Sequence, residues 1–188
     1  MCAETVKSSA TAWHGEKALS YSAWETGRMT WLNLAAWIFL CLGAGAIGAR
    51  WTAPEIHTWY RGLRKPIFNP PDRIFGPVWT FLYILMAIAM WRIDAAPASE
   101  LHAVCHALFV VQLALNLAWS WIFFRHHALG VAAIELFFLW LAIAATMGVF
   151  ALVDPLAAGL LIPYLAWVSF AFSLNAMIWR LNRLQRPA

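Results

Sequence analysis

The sequence predicts an all-α membrane protein, a five-transmembrane-helix bundle with a long first loop as lid. Three observations carry this. First, only 12% of the 188 residues are charged and 63% are hydrophobic, with a mean hydropathy of +0.66. A soluble domain carries about 25% charged residues, so this chain lacks the polar side chains to cover a globule in water. Soluble enzymes, disordered chains and collagen-like chains are excluded. Second, five stretches are uncharged or nearly so: residues 29–49, 74–91, 103–124, 128–153 and 155–179. Each is close to the roughly 20 residues that cross the hydrocarbon core as a helix. A helix satisfies its own backbone polar groups in lipid without a partner strand. Third, runs such as ALFVVQLALNLAW are apolar on all sides, without the in–out alternation of a β-barrel strand.

The boundaries of each span are marked in turn. Arg28 and Arg50 bracket the first, Arg92 ends the second, Arg125-His126-His127 ends the third and Arg180 ends the fifth. Asp154-Pro155 leaves a very short turn between the fourth and fifth, making them antiparallel neighbours. Of the 13 tryptophans, Trp31, Trp51, Trp91 and Trp179 fall near span ends, where amphipathic rings prefer the interface. The organisation is an N-terminal extension (1–28), a transmembrane domain (29–182) and a C-terminal tail (183–188). The extension lacks the apolar core of a signal peptide, and Glu4, Glu16 and Glu25 argue against a transit peptide.

Net charge is +4. In a membrane protein that balance points to cytoplasmic loops rather than to nucleic acid. Lys7, Lys17, Arg28 and Arg92 fall on the N-terminal side. Arg50, Arg61, Arg64, Lys65, Arg73, Arg125, Arg180, Arg183 and Arg186 fall on the other. The positive-inside rule therefore places the N-terminus outside and the C-terminus in the cytoplasm.

Residues 50–73, RWTAPEIHTWYRGLRKPIFNPPDR, form the only sizeable connection. Pro54, Pro66, Pro70 and Pro71 fix φ and block long helices. Trp51, Trp59, Tyr60, Ile67 and Phe68 supply apolar surface. Such a loop either folds over the helix ends as a lid or lies among lipid headgroups.

Polar residues within spans are costly and face the protein interior. In the third span Gln112, Asn116, Trp119, Ser120 and Phe123 share one helical face. Tyr164, Trp167, Ala171, Leu174 and Asn175 do so in the fifth, and Trp79, Tyr83, Met86 and Met90 in the second. Turned inward, these aromatic stripes would line an apolar pocket with a few polar anchors. The alternative is helix packing sealed by interhelical hydrogen bonds. Glu135, the one acid inside a span, faces the pocket or bonds a neighbouring helix. His102 and His106, at i and i+4, have metal- or haem-ligand spacing but no second pair at that depth. Gly43, Gly45 and Gly48 suit close helix packing or a dimer face. Cys2, Cys41 and Cys105 form neither a disulfide framework nor a metal motif. No nucleophile–base pair, P-loop or dinucleotide fingerprint is present.

Three segments carry a family resemblance: WYRGLRKPIFNPPDRIFGPVWTFLY (59–83), QLALNLAWSWIFF (112–124) and PYLAWVSFAFSLNAMIWRLN (163–182). In this order they resemble the translocator protein family, TspO/MBR, also called tryptophan-rich sensory proteins or peripheral-type benzodiazepine receptors. The likeness spans about residues 40–182 and suggests a bacterial member. It implies a five-helix bundle, often a homodimer, whose first loop closes over a ligand pocket. Family members bind porphyrins and haem and, in mitochondria, cholesterol and synthetic drugs. By motif position the resemblance implies a pocket of Ala49, Trp59, Phe68, Phe75, Val78, Trp79, Asn116, Trp119, Ser120, Ile134, Glu135, Phe138, Trp167, Phe170, Ala171 and Leu174. It implies no metal and no required cofactor; porphyrin or haem is the ligand, beside membrane lipid. The chain departs from the family at Phe68, where Trp is common, at Glu135, often Asp, and at Val131, Trp in animal members. The stretch 174–180 lacks the Tyr of the animal sterol motif, which disfavours sterol binding.

The functional expectation is a membrane-embedded binding or transport protein for porphyrins and related flat hydrophobic ligands. A light- and oxygen-dependent porphyrin-degrading enzyme is one alternative, with Trp79, Trp119 and Trp167 as the redox-active candidates. A ligand-responsive sensor or regulator of tetrapyrrole metabolism is the other. No acid–base constellation supports ordinary catalysis.

Overall fold

The computed structural model describes the backbone of residues 3–97 and 99–183, and side chains from Thr30 onward within those limits. The side chains of the N-terminal extension, including Lys7, Lys17 and Arg28, and residues 184–188 of the C-terminal tail lie outside the described residues. The chain divides into two compact units, Met1–Ala36 and Trp37–Ala188. Residues 3–36 of the first are helical; the contacts and the cavity described below belong to the second.

Among the described residues seven α-helices occur in chain order: α1 (Ala3–Ile56), α2 (Trp59–Gly62), α3 (Phe75–Ala95), α4 (Leu101–Ser120), α5 (Leu129–Val153), α6 (Pro155–Leu160) and α7 (Ile162–Asn182). No strand occurs among the described residues. Five segments are long and apolar enough to cross a membrane: Thr30–Ile56, Asp72–Ala95, Leu101–Arg125, Leu129–Val153 and Pro155–Asn182. The five-span reading is therefore the observed architecture.

Two ends differ from the sequence reading. The first helix continues to Ile56 with Pro54 inside its last turn, so the first loop is shorter than residues 50–73. Proline removes one backbone bond and crowds the carbonyl four residues back. Near a helix end that loss stays local, and the extra turns place Thr52, Ala53 and Ile56 on a cavity wall. The fifth span is broken at Leu161, between α6 and α7. Pro163 at the start of α7 has no N–H to continue the ladder.

Local chemistry explains the other boundaries. Asp154 caps α6, its Oδ1 accepting from the backbone of Leu156 (2.9 Å) and Ala157 (3.3 Å), while Pro155 occupies the first helical position. The same carboxylate meets Arg92 of α3 at 2.8 Å. Pro77 falls within the first turn of α3, where an N–H is unpaired anyway. The third span ends in a π-helical turn, Trp121–Arg125. His127 follows with φ of 54°, a left-handed residue that reverses the chain into α5.

The packed core fills the space between α3, α4, α5 and α7. Met86, Met90 and Ile93 of α3, Phe109 of α4, Ile143 and Phe150 of α5 and Tyr164 of α7 are fully buried. At one end, Trp37 of α1 donates to Asp94 Oδ2 of α3 (2.6 Å). Asp94 Oδ1 also pairs with His106 Nε2 of α4 (2.9 Å), so three helices meet at one carboxylate.

A candidate ligand-binding cavity

Packing leaves a cavity of about 450 Å³ between α1, α3, α4 and α7. Pockets for small molecules run from about 300 to 1,000 Å³. Its walls are laid down by helical periodicity. α1 contributes Leu42, Gly45, Ala49 and Thr52; α3 contributes Phe75, Trp79 and Tyr83; α4 contributes Asn116, Trp119 and Ser120; α7 contributes Ala171, Leu174 and Asn175. Spacings of three and four keep each set on one side of its helix. The π turn adds Phe123 and Phe124. Its wider winding turns two consecutive rings into the protein, where they lie 2% and 6% exposed.

The polar side chains in the walls also fasten the helices. Tyr83 donates its hydroxyl to Asn116 Oδ1 (2.6 Å). Asn116 Nδ2 donates to the hydroxyl of Tyr164 (3.1 Å), linking α3, α4 and α7. Trp119 Nε1 donates to Asn175 Oδ1 (3.4 Å), and Asn175 Nδ2 donates to the carbonyl of Leu129 (2.8 Å). Pocket lining and interhelical bonding, the two readings of the stripes, therefore fall on the same residues. Helix approach depends on glycine here. A Cβ on Gly45 would lie 2.6 Å from Cε2 of Tyr83, and one on Gly48 would lie 3.3 Å from Oγ of Ser120.

The loop end is closed by Tyr60, Ile56, Ile178, Phe123 and Phe124. Tyr60 donates to Asn69 Oδ1 (2.9 Å), and the Lys65 ammonium sits 4.3 Å above its ring. Burial, then the nearby Asp72 carboxylate, push the Tyr60 phenol above its ordinary value, so it keeps its proton and goes on donating. Asn182 clamps the loop to the end of α7. Its Oδ1 accepts from Arg64 N (3.1 Å) and its Nδ2 donates to Arg64 O (2.9 Å). The cavity lining holds one carboxylate, Asp72, and among the described residues neither Lys nor Arg.

Of the sixteen residues singled out from the sequence, Ala49, Phe75, Trp79, Asn116, Trp119, Ser120, Ala171 and Leu174 line this cavity. The other eight do not. Trp59 stacks on His127 (3.9 Å between centroids) and meets the edge of Phe123. Phe68 packs edge-on against Phe170, Trp167 lies against Phe75 and Phe170, and Val78 packs on the main core. Ile134 and Phe138 are 62% and 55% exposed on the outer face of α5.

Glu135 is buried, and neither carboxylate oxygen has a hydrogen-bond partner among the described residues. α5 contributes nothing to the lining, because it packs behind α4 and α7, where Trp140 Nε1 donates to Ser169 Oγ of α7 (2.9 Å). The expected pocket also omits most of the α1 wall (Leu42, Gly45, Ala46, Gly48, Thr52, Ala53 and Ile56), Tyr60, Asp72, Gly76 and Thr80 at the loop end, Tyr83, Phe123 and Phe124, and Asn175 and Ile178 of α7. Only the glycine spacing signalled close packing beforehand. The two candidate metal ligands are engaged by protein. His102 Nε2 meets the Ile93 carbonyl (2.9 Å) and His106 Nδ1 meets the His102 carbonyl (2.7 Å).

Five membrane-crossing segments, four of which wall an apolar cavity, define a multi-pass integral membrane protein. Residues 37–180 match the TspO/MBR family. The chain is 42% identical over 153 residues to the tryptophan-rich protein TspO of Chlorobaculum tepidum, covering 80% of this chain and 96% of that one. It is 38% identical over 154 residues to protein CrtK of Rhodobacter capsulatus (81% and 94%). It is 41% identical over 139 residues to the human translocator protein (72% and 82%). The chain belongs to the TspO/MBR family.

Proposed function

We propose that the protein binds a flat, largely apolar tetrapyrrole in this cavity and serves in its transport. The observation that carries the reading is a volume of about 450 Å³ walled by the rings of Phe75, Trp79, Tyr83, Trp119, Phe123 and Phe124. Aromatic faces stack on a macrocycle or meet its edge. Among the described residues the lining holds neither Lys nor Arg, so carboxylate side chains of the ligand belong outside it, at the loop. Arg61 and Lys65 lie in that loop. The first loop acts as a lid over that end, and the basic loops face the cytoplasm with the C-terminus.

The test is titration of protoporphyrin IX into the purified protein, followed by tryptophan fluorescence. Saturable quenching weakened at least tenfold by both Trp119→Ala and Ala171→Phe supports the cavity as the site. Quenching indifferent to both refutes it.

A sensory role is the second reading, favoured by the name of a relative in Cereibacter sphaeroides, a tryptophan-rich sensory protein. There, ligand occupancy shifts the clamped loop and is read by a partner. Light-dependent loss of the porphyrin absorption band, abolished by Trp79→Phe and Trp119→Phe, would instead assign the degradative reading.

A further inference from the structure

We infer that the cavity opens sideways to the bilayer, through a window between α1 and α3, and that its ligand is admitted from the hydrocarbon phase. This rests on the cavity being the ligand site and adds where the ligand comes from. Three observations carry it.

The first is the rim. Most of the cavity's aromatic and polar walls are buried or half-buried. Asp72, at the loop end, lines it while being exposed, and so do Ala46, Ala49 and Ala53 of α1 and Gly76 and Thr80 of α3. The alanines, Gly76 and Thr80 form two facing rows at helical spacing, all small. A Cβ added to Gly76 would meet no heavy atom within 4 Å, which is what an open edge requires. Both rows lie inside membrane-crossing segments, Thr30–Ile56 and Asp72–Ala95.

The second is the chemistry of that edge. Its hydroxyls are already spent: Thr80 Oγ1 donates to the Gly76 carbonyl and Thr52 Oγ1 to the Gly48 carbonyl, each at 3.0 Å. Beyond Asp72 at its loop end, the window thus presents an apolar rim, over which an apolar body moves from lipid without losing solvation.

The third is the closure of the alternative route. Towards the loop, Tyr60 packs on Phe123 and Phe124 at about 6 Å between centroids. It is also held by Asn69, and the loop is pinned through both amide atoms of Asn182. Passage there requires several hydrogen bonds to break, whereas passage through the window requires none.

The ligand class follows. It is an amphiphile that dissolves in the bilayer, slides its apolar body between α1 and α3, and leaves any anionic group at the interface near the loop.

The test uses the full chain in phosphatidylcholine–phosphatidylglycerol vesicles, with protoporphyrin IX supplied already dissolved in the lipid of a second vesicle population fused to the first. Association is followed by stopped-flow tryptophan quenching. Gly76→Leu and Ala46→Leu narrow the window from its two sides and should each slow association at least tenfold, while saturation is still reached on long incubation. Asn182→Ala releases the loop clamp and should leave the rate within twofold.

Faster association in Asn182→Ala with unchanged rates in both rim variants overturns the inference in favour of the loop. Unchanged rates in all three also overturn it, as does loss of equilibrium binding in both rim variants, which would make them contacts rather than a portal. Absence of quenching in the unaltered protein would instead refute the tetrapyrrole reading itself.

Discussion

Replacing Gly45 by alanine tests the approach of α1 to α3 on which the cavity's inner wall depends. The added methyl would lie 2.6 Å and 2.8 Å from two ring carbons of Tyr83. The ring must retreat by about 0.4 Å merely to reach 3.0 Å, the closest separation real Cβ atoms show. Tyr83 has little room, being 6% exposed and packed against Trp79. Its hydroxyl is held at 2.6 Å by Asn116, which in turn donates to Tyr164. Overpacking of a filled core costs about 1–3 kcal/mol, and loosening a buried hydrogen bond adds about 1 kcal/mol. The expected loss of about 2–4 kcal/mol corresponds to a fall in melting temperature on the order of 10 °C for a chain of this size.

Gly43 supplies the control, two residues away on the same helix. A Cβ there meets nothing within 4 Å, so Gly43→Ala should be neutral or gain up to about 1 kcal/mol from helix propensity. Thermal unfolding in detergent, followed by tryptophan fluorescence, reads both variants. In a Tyr83→Leu background the same Gly45→Ala change should cost less, since the shorter side chain vacates the contested space. Equal melting of the two single alanine variants would refute the reasoning, because no close approach would then exist at Gly45.

Three further outcomes follow from the packing. Gln112→Leu should raise stability by about 1–3 kcal/mol, since the side chain is 1% exposed and neither amide atom has a partner among the described residues; a lower melting temperature would show that the amide is satisfied. Asp154→Ala should cost about 1–3 kcal/mol through the lost cap and the stranded Arg92. Asp154→Asn, which keeps a capping oxygen, should cost less in the same melt. Trp37→Phe keeps a ring against Phe109 but loses the N–H bonded to Asp94. Its cost should be about 1.5–3 kcal/mol, and no loss would mean that this tie is replaced by solvent.

Much of the protein is written in one dimension. Five apolar segments of membrane-crossing length follow directly from where charges are absent, because a bilayer imposes one length and one backbone solution on any span. Half of the expected residues also line the cavity. Asn116, Trp119 and Ser120, or Ala171 and Leu174, share a face through the 3.6-residue period, and a polar stripe on a span faces protein.

What periodicity leaves undetermined is which inward faces meet one another. Glu135, Ile134 and Phe138 were assigned to the cavity with the rest of the resemblance, yet α5 stands behind α4 and α7 and lines none of it. The π turn that brings in Phe124, the continuation of α1 past Pro54 and the clamp between Arg64 and Asn182 are likewise decided by packing. Each depends on contacts between residues distant in sequence, as in the 118-residue separation of that clamp. The sequence by itself determined the number of spans and the stripes they carry. Only the tertiary structure decided which stripes enclose a volume, because a cavity is the space that several helices together fail to fill, and no single helix encodes it.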